Sequence, residues 1–133
     1  MRKDDFEALA EFRYLLRQFM RFSENVAQAH GVTPLQYQLM LQIKGFPGRA
    51  HASVAELAER LQSKHHGVVA LVGRCEELGW VQRRPCPHDL RRVEVRLTAA
   101  GDRVIARLAR VHRNELQQLA AMLQAFSDAR AAR

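Results

Sequence analysis

Trp80-Val81-Gln82-Arg83-Arg84-Pro85-Cys86-Pro87-His88-Asp89-Leu90-Arg91-Arg92-Val93-Glu94-Val95-Arg96-Leu97-Thr98 carries a change of period on which the architecture rests. Before this stretch, apolar residues recur every three or four positions; within it they recur every second one. Trp80 to Arg84 reads as a short strand, and Val93, Val95 and Leu97 alternate with Arg92, Glu94 and Arg96 in a second. Pro85 to Leu90 is then the loop joining them as a hairpin. Thr98 stands where a helix cap belongs, and the helical period resumes after it. Arginines mark both strands of this hairpin: Arg83 and Arg84 on the first, Arg91 and Arg92 toward its tip.

Working back toward the N-terminus, Ser63 to Leu78 reads as a helix capped by Ser63, with Gly79 at a left-handed C-terminal position. Its inward face comprises Val68, Leu71, Val72, Cys75 and Leu78; the opposite side offers Lys64, His65, Gly67, Ala70 and Arg74. A tight turn separates it from a shorter helix opened by the capping box Ser53-Val54-Ala55-Glu56, with Val54, Leu57, Ala58 and Leu61 inward. Thr33-Pro34-Leu35-Gln36 starts another helix, whose Leu35, Leu39 and Ile43 share a face up to the breaker Gly45-Phe46-Pro47-Gly48. Residues 4–30 form a long helix with a stripe of Phe6, Leu9, Phe12, Leu16, Phe19, Phe22 and Val26, stopped by Gly31.

Beyond Thr98, one long helix carries Ile105, Leu108, Leu116, Leu119, Leu123 and Phe126. The expected fold is mainly α (α+β): a single domain over 1–133, with a winged helix-turn-helix lobe at 32–98. The helices at 4–30 and 99–128 carry apolar stripes too long for the core of a small monomer, so they are expected to dimerise. In such a lobe the helix Ser63 to Leu78 enters the DNA major groove and the arginine-bearing hairpin reaches phosphates and the minor groove.

Composition narrows the partners. At 133 residues there is room for one core. A net charge of +7, carried by many arginines and only Lys3, Lys44 and Lys64 as lysines, suits a polyanion, either nucleic acid or an anionic membrane surface. Met1-Arg2-Lys3-Asp4-Asp5 does not open a signal peptide, and no segment is apolar enough to span a bilayer. The cysteines, Cys75 and Cys86, are too few for a secreted disulfide scaffold. The cytoplasm, at the nucleoid, is the expected compartment.

Other chemistry finds little support. There is no glycine-rich phosphate loop, no nucleophile elbow and no paired carboxylates in a loop, so an enzyme is not expected. Cys86-Pro87-His88-Asp89 gathers three metal-ligating types, but no second pair follows at zinc-site spacing. His65 and His66 are adjacent on a helix and diverge; His112 falls on an apolar helical face. Neither a metal nor a cofactor is expected. Cys75 lies on an inward face, whereas Cys86, near Arg84 and His88, is either a plain loop residue or a reactive thiol.

The segments Val32-Thr33-Pro34-Leu35-Gln36, Ser53-Val54-Ala55-Glu56-Leu57-Ala58 and Glu77-Leu78-Gly79-Trp80-Val81-Gln82-Arg83 together resemble the MarR (multiple antibiotic resistance regulator) family. The most specific match is Asp89-Leu90-Arg91-Arg92-Val93-Glu94-Val95-Arg96-Leu97-Thr98-Ala99-Ala100-Gly101, which is similar to that family's wing signature. The likeness covers about residues 32 to 101. It implies a transcription regulator, a repressor, whose outer helices intertwine in a homodimer that binds a pseudo-palindromic operator in double-stranded DNA. It implies that Arg91 reaches the minor groove, that Asp89 holds the wing or that arginine, and that Lys64, His65, His66 and Arg74 meet bases and phosphates.

Ser63, Arg83, Arg84, His88 and Arg92 complete the expected DNA-facing set. Several family members release DNA on binding a small aromatic or lipophilic ligand; Phe12, Phe19, Tyr37 and Met40 are the candidates here, although their spacing equally suits a core. Two departures stand out. His65-His66-Gly67 replaces the Ser or Thr of many members, and no break divides the final helical stretch. The family's peroxide-sensing branch has a cysteine in the first helix; this sequence has none there. The competing reading is a dimeric helical interaction module or antirepressor that has lost DNA binding.

Overall fold

Capping chemistry sets most helix starts. The computed structural model describes residues 1–113 and 115–131, the side chains of 115, 116, 129 and 130 apart. Its helices are α1 (Lys3–Ala29), α2 (Pro34–Lys44), α3 (Val54–Leu61), α4 (His65–Glu77), α5 (Ala99–Val111) and α6 (Glu115–Ala131), and its strands are β1 (His51–Ala52), β2 (Val81–Cys86) and β3 (Asp89–Leu97). Thr33 and Gln36 form one reciprocal capping box, and Ser53 and Glu56 another. The Thr98 hydroxyl accepts from the Gly101 amide and donates to the Gly79 carbonyl, while its own amide donates to the Trp80 carbonyl. That anchoring brings α5 down onto the start of β2. A Cβ at Gly101 would lie 2.0 Å from the Trp80 carbonyl oxygen, so only glycine fits there.

The core is built where α2, α3, α4 and the sheet meet. Tyr37, Leu39, Met40, Ile43, Leu57, Val68, Val72, Cys75, Val81 and Val95 are buried in it, joined by Ile105 and Leu108 of α5. The mainly helical winged helix-turn-helix architecture is therefore as the sequence implies. Leu35 departs from its expected inward place and is exposed. It lies in the first turn, at the edge of the buried face of Gln36, Tyr37, Leu39, Met40 and Ile43 and about 100° around the helix from Gln36. Leu78 is also exposed, because it occupies the C-cap of α4, where the chain turns through left-handed Gly79 (φ 79°) into β2.

Three further expectations are corrected. Ser63 does not cap α4. Gln62, in the left-handed region at φ 51°, tightens the α3–α4 turn, so the Ser63 hydroxyl donates back to the Leu61 carbonyl and Lys64 becomes the N-cap residue, with no side-chain cap. The hairpin loop is shorter than Pro85 to Leu90. β2 continues through Pro85 and Cys86, β3 begins at Asp89, and Pro87 and His88 make the turn. Proline is tolerated because β2 is an edge strand in the order β1-β3-β2. The register slips beside it: Pro85 pairs with Val93 but Cys86 pairs with Asp89, which throws Leu90, Arg91 and Arg92 out of the regular ladder.

The last helical stretch is divided in two. Its break falls at His112, whose ring stacks on Tyr37 at 4.8 Å and meets Phe22 edge-on at 5.7 Å. Its Nδ1–H shares the Leu108 carbonyl with the His112 backbone amide, closing α5 without glycine or proline. α6 then runs along α1, with Phe126 against Phe12 at 5.6 Å.

Candidate nucleic-acid interface

The α3–α4 pair and the hairpin place their charged groups outward. The N-cap residue Lys64 and, on α4, His65, His66 and Arg74 are exposed, away from the buried row Val68, Leu71, Val72 and Cys75. Ser63 is exposed at the turn just before them. With no side chain capping α4, the amides of its first turn keep room for an external acceptor, the arrangement that favours phosphate at a helix N-terminus.

On the hairpin, one oxygen of Asp89 accepts from both the backbone N–H of Arg91 (3.1 Å) and its Nε (3.3 Å). The Arg91 side chain is nevertheless 93% exposed. A guanidinium held by one nitrogen still presents its two Nη groups to solvent. Arg84, His88 and Arg92 are exposed nearby. Arg83 is placed differently. It turns back onto α4, donating to the Val69 carbonyl at 3.1 Å and standing 3.6 Å from Glu76.

Glu76, His51 and Glu94 belong to this surface and escaped sequence reasoning. Glu76 is exposed near the end of α4, yet it holds Arg83. His51, on the unanticipated strand β1, pairs in register with Arg96 and faces Glu94 at 3.6 Å. Partial burial pushes the Glu94 carboxyl up, but the hydrogen bond from Arg96 and the charges of His51 and Arg96 outweigh it, so the group sits below its ordinary 4.5. No helical or strand period announces these pairings, because Glu76 meets Arg83 across the junction of α4 and β2, and His51 meets Glu94 across the sheet.

The four ligand candidates do not share one cleft. Tyr37 and Met40 are fully buried core residues of α2. Phe19 lines a groove of about 460 Å³ between α1 and α6, with Leu15, Phe22 and Met122, while Phe12 borders a smaller recess beside it. Among the described residues, no group of three His, Cys, Asp or Glu side chains could hold a metal ion. No described helix is long and apolar enough to cross a membrane. Burial pushes the Cys75 thiol up to about 11, only partly offset by Arg74, whereas Cys86 is half-buried in the hairpin.

Helix, tight turn, helix and a cationic hairpin define a winged helix-turn-helix protein. The sequence model of the MarR family matches residues 30–92 of this chain. Members of that family are transcription regulators rather than enzymes. A protein of Thauera aromatica, described as a transcriptional regulatory protein for the hcr operon, is 28% identical over 105 residues. The match covers 79% of this chain and 61% of that protein, so the chain spans less than two thirds of its relative.

Among solved structures, AbsC of Streptomyces coelicolor, a MarR family transcriptional regulator, superposes with a TM-score of 0.73 at 18% identity, over 100% of this chain and 98% of that one. A mutant of MarR from E. coli, solved in complex with operator DNA, gives 0.68 at 23% identity, over 80% and 74%. At these identities the likeness concerns the fold.

Proposed function

We propose that this chain is a DNA-binding transcription regulator that acts as a homodimer on a pseudo-palindromic operator, with repression as its effect. Residues 32–98 are the DNA-binding lobe; 4–30 and 99–128 are the dimerisation helices. The observation that carries the reading is the Asp89–Arg91 arrangement: a guanidinium oriented by one carboxylate, almost wholly exposed, at the tip of a hairpin flanked by Arg84, His88 and Arg92. Arginine loses its hydration at low cost and suits the negative potential of a narrow minor groove. Lys64, His65, His66 and Arg74 of α4 face bases and phosphates of the adjoining major groove.

The exposed apolar residues of α1 and α6 support the dimer, and the groove between those helices supports a small apolar effector that acts on the dimer. Selection of bound sequences from random duplex DNA, followed by anisotropy titration on the winning site, tests the function. Enrichment of a two-fold site bound at nanomolar concentration is expected, and that site upstream of a reporter should lower its expression. No enriched sequence at low salt would leave the interaction module as the better reading.

A further inference from the structure

Arg83 makes three links to α4. Its backbone N–H donates to Glu76 Oε2 at 3.1 Å, its Nη2 donates to the Val69 carbonyl at 3.1 Å, and its Nη1 lies 3.6 Å from Glu76 Oε1. Val69, Gly73 and Glu76 recur at i, i+4 and i+7 and so form one stripe of α4. The Arg83 guanidinium lies close over that stripe: a Cβ at Gly73 would meet its Nη2 at 3.8 Å, an ordinary packing contact. β2 is an edge strand, and the Arg83 amide points away from β3 toward α4. Glu76 thus satisfies a strand-edge donor and holds a guanidinium with the same carboxylate. A single exposed ion pair contributes little, but a planar fork and a backbone amide fixed together restrain orientation.

We propose that the Glu76–Arg83 pair is a positioning device that sets the angle between the recognition helix α4 and the hairpin. Held so, Arg91 reaches the minor groove while α4 occupies the major groove, and Arg83 itself touches no phosphate. This rests on the DNA-binding function proposed above. It carries a prediction of opposite sign to simple electrostatics. Removing Glu76 takes a negative charge from a surface that meets a polyanion, which by charge alone tightens binding. Loss of positioning weakens it.

The test uses the full chain with Glu76→Ala, Arg91→Ala, both together, and Arg83→Lys, titrated against the selected operator by anisotropy. Glu76 is on an exposed helix surface, where alanine is a good helix former, so melting should shift little. Glu76→Ala is expected to raise Kd about tenfold, the size of one arginine–DNA interaction, and to add almost nothing in the Arg91→Ala background. Arg83→Lys, which keeps the charge and loses the fork, should weaken binding similarly. Unchanged or tighter binding by Glu76→Ala overturns the proposal, as do losses that multiply in the double variant.

Amide hydrogen exchange at Arg83, measured without DNA, separates the two layers of inference. Exchange faster by at least about tenfold in Glu76→Ala is expected. Should the wild-type protein bind no duplex, the DNA-binding function fails; exchange then decides the clamp alone, and equal rates in the two proteins overturn it.

Discussion

Arg91 shows how little of a binding group's value lies in its own burial. Its side chain buries almost nothing, and its contribution comes from Asp89, which fixes the backbone amide and Nε at once. Arg91→Ala removes no core packing, so melting should be unchanged while operator affinity falls by roughly 1–3 kcal/mol for each wing. The slope of affinity against salt should also flatten by about 0.9 for each phosphate-facing cation removed. Arg103→Ala on α5 removes the same charge from an exposed site beyond the wing and serves as the control. Equal, small losses for the two variants would mean that the hairpin does not read DNA. The cysteines differ in the same local way. Burial raises Cys75 to about 11 and keeps it a thiol at neutral pH, so native protein titrated with a chromogenic disulfide at pH about 8 should yield one fast thiol per chain, at Cys86. Two fast thiols, or loss of the fast one in a Cys75→Ala variant, would contradict this.

Among the elements, α3 depends most on its first turn, because at Val54–Leu61 it is too short to persist without capping and packing. Ser53 and Glu56 exchange reciprocal hydrogen bonds, and Arg49 reaches the outer oxygen of Glu56. Burial pushes the Glu56 carboxyl up, but the hydrogen bonds from Ser53 and Arg49 together outweigh it, and the group titrates below its ordinary 4.5. A depressed folded value means that ionised Glu56 adds stability above its unfolded pKa. That stability is lost as pH falls through the folded value. Glu56→Ala should therefore be less stable than wild type by about 1 kcal/mol at neutral pH, the usual worth of a cap. The gap should close as pH falls from about 6 to about 3. Chemical denaturation across that range gives the comparison; a constant gap would show that the charge of Glu56 contributes nothing.

Over the whole molecule, the unmatched feature is apolar surface on the outer helices. Phe6 and Leu9 of α1 and Leu119 and Leu123 of α6 are each 40% exposed or more, whereas Tyr37, Leu39, Met40 and Ile43 of α2 are fully buried. Leu116 belongs to the same sequence stripe, but its side chain lies outside those described. Apolar side chains exposed in number on two neighbouring helices are covered in a stable soluble protein, and a second copy offers an identical set. Sedimentation at micromolar concentration should give a dimer, and Leu119→Glu with Leu123→Glu should give monomers or unfolded chain. A well-folded wild-type monomer under the same conditions would refute the dimer.

Features that depend on residues three or four apart were legible in the chain. The capping boxes at Thr33 and Ser53, the Thr98 cap, the change to period two after Trp80 and the arginines of the hairpin all act through neighbours in sequence. They sufficed for the winged helix-turn-helix architecture. The wing candidates could be named from their place in the hairpin, but the roles assigned to them remain proposals. Tertiary structure alone decided the rest. β1 is two residues long and exists only because His51 and Ala52 find Arg96 and Val95 on β3. The division of α5 from α6 needs no local breaker, since the buried His112 ring is held by Tyr37 and Phe22 from two other helices. Arg83 reads as one more cation among several until α4 folds alongside β2 and presents Glu76 and the Val69 carbonyl to it. In each of these cases the energy comes from partners distant along the chain, and periodicity and propensity carry no record of them.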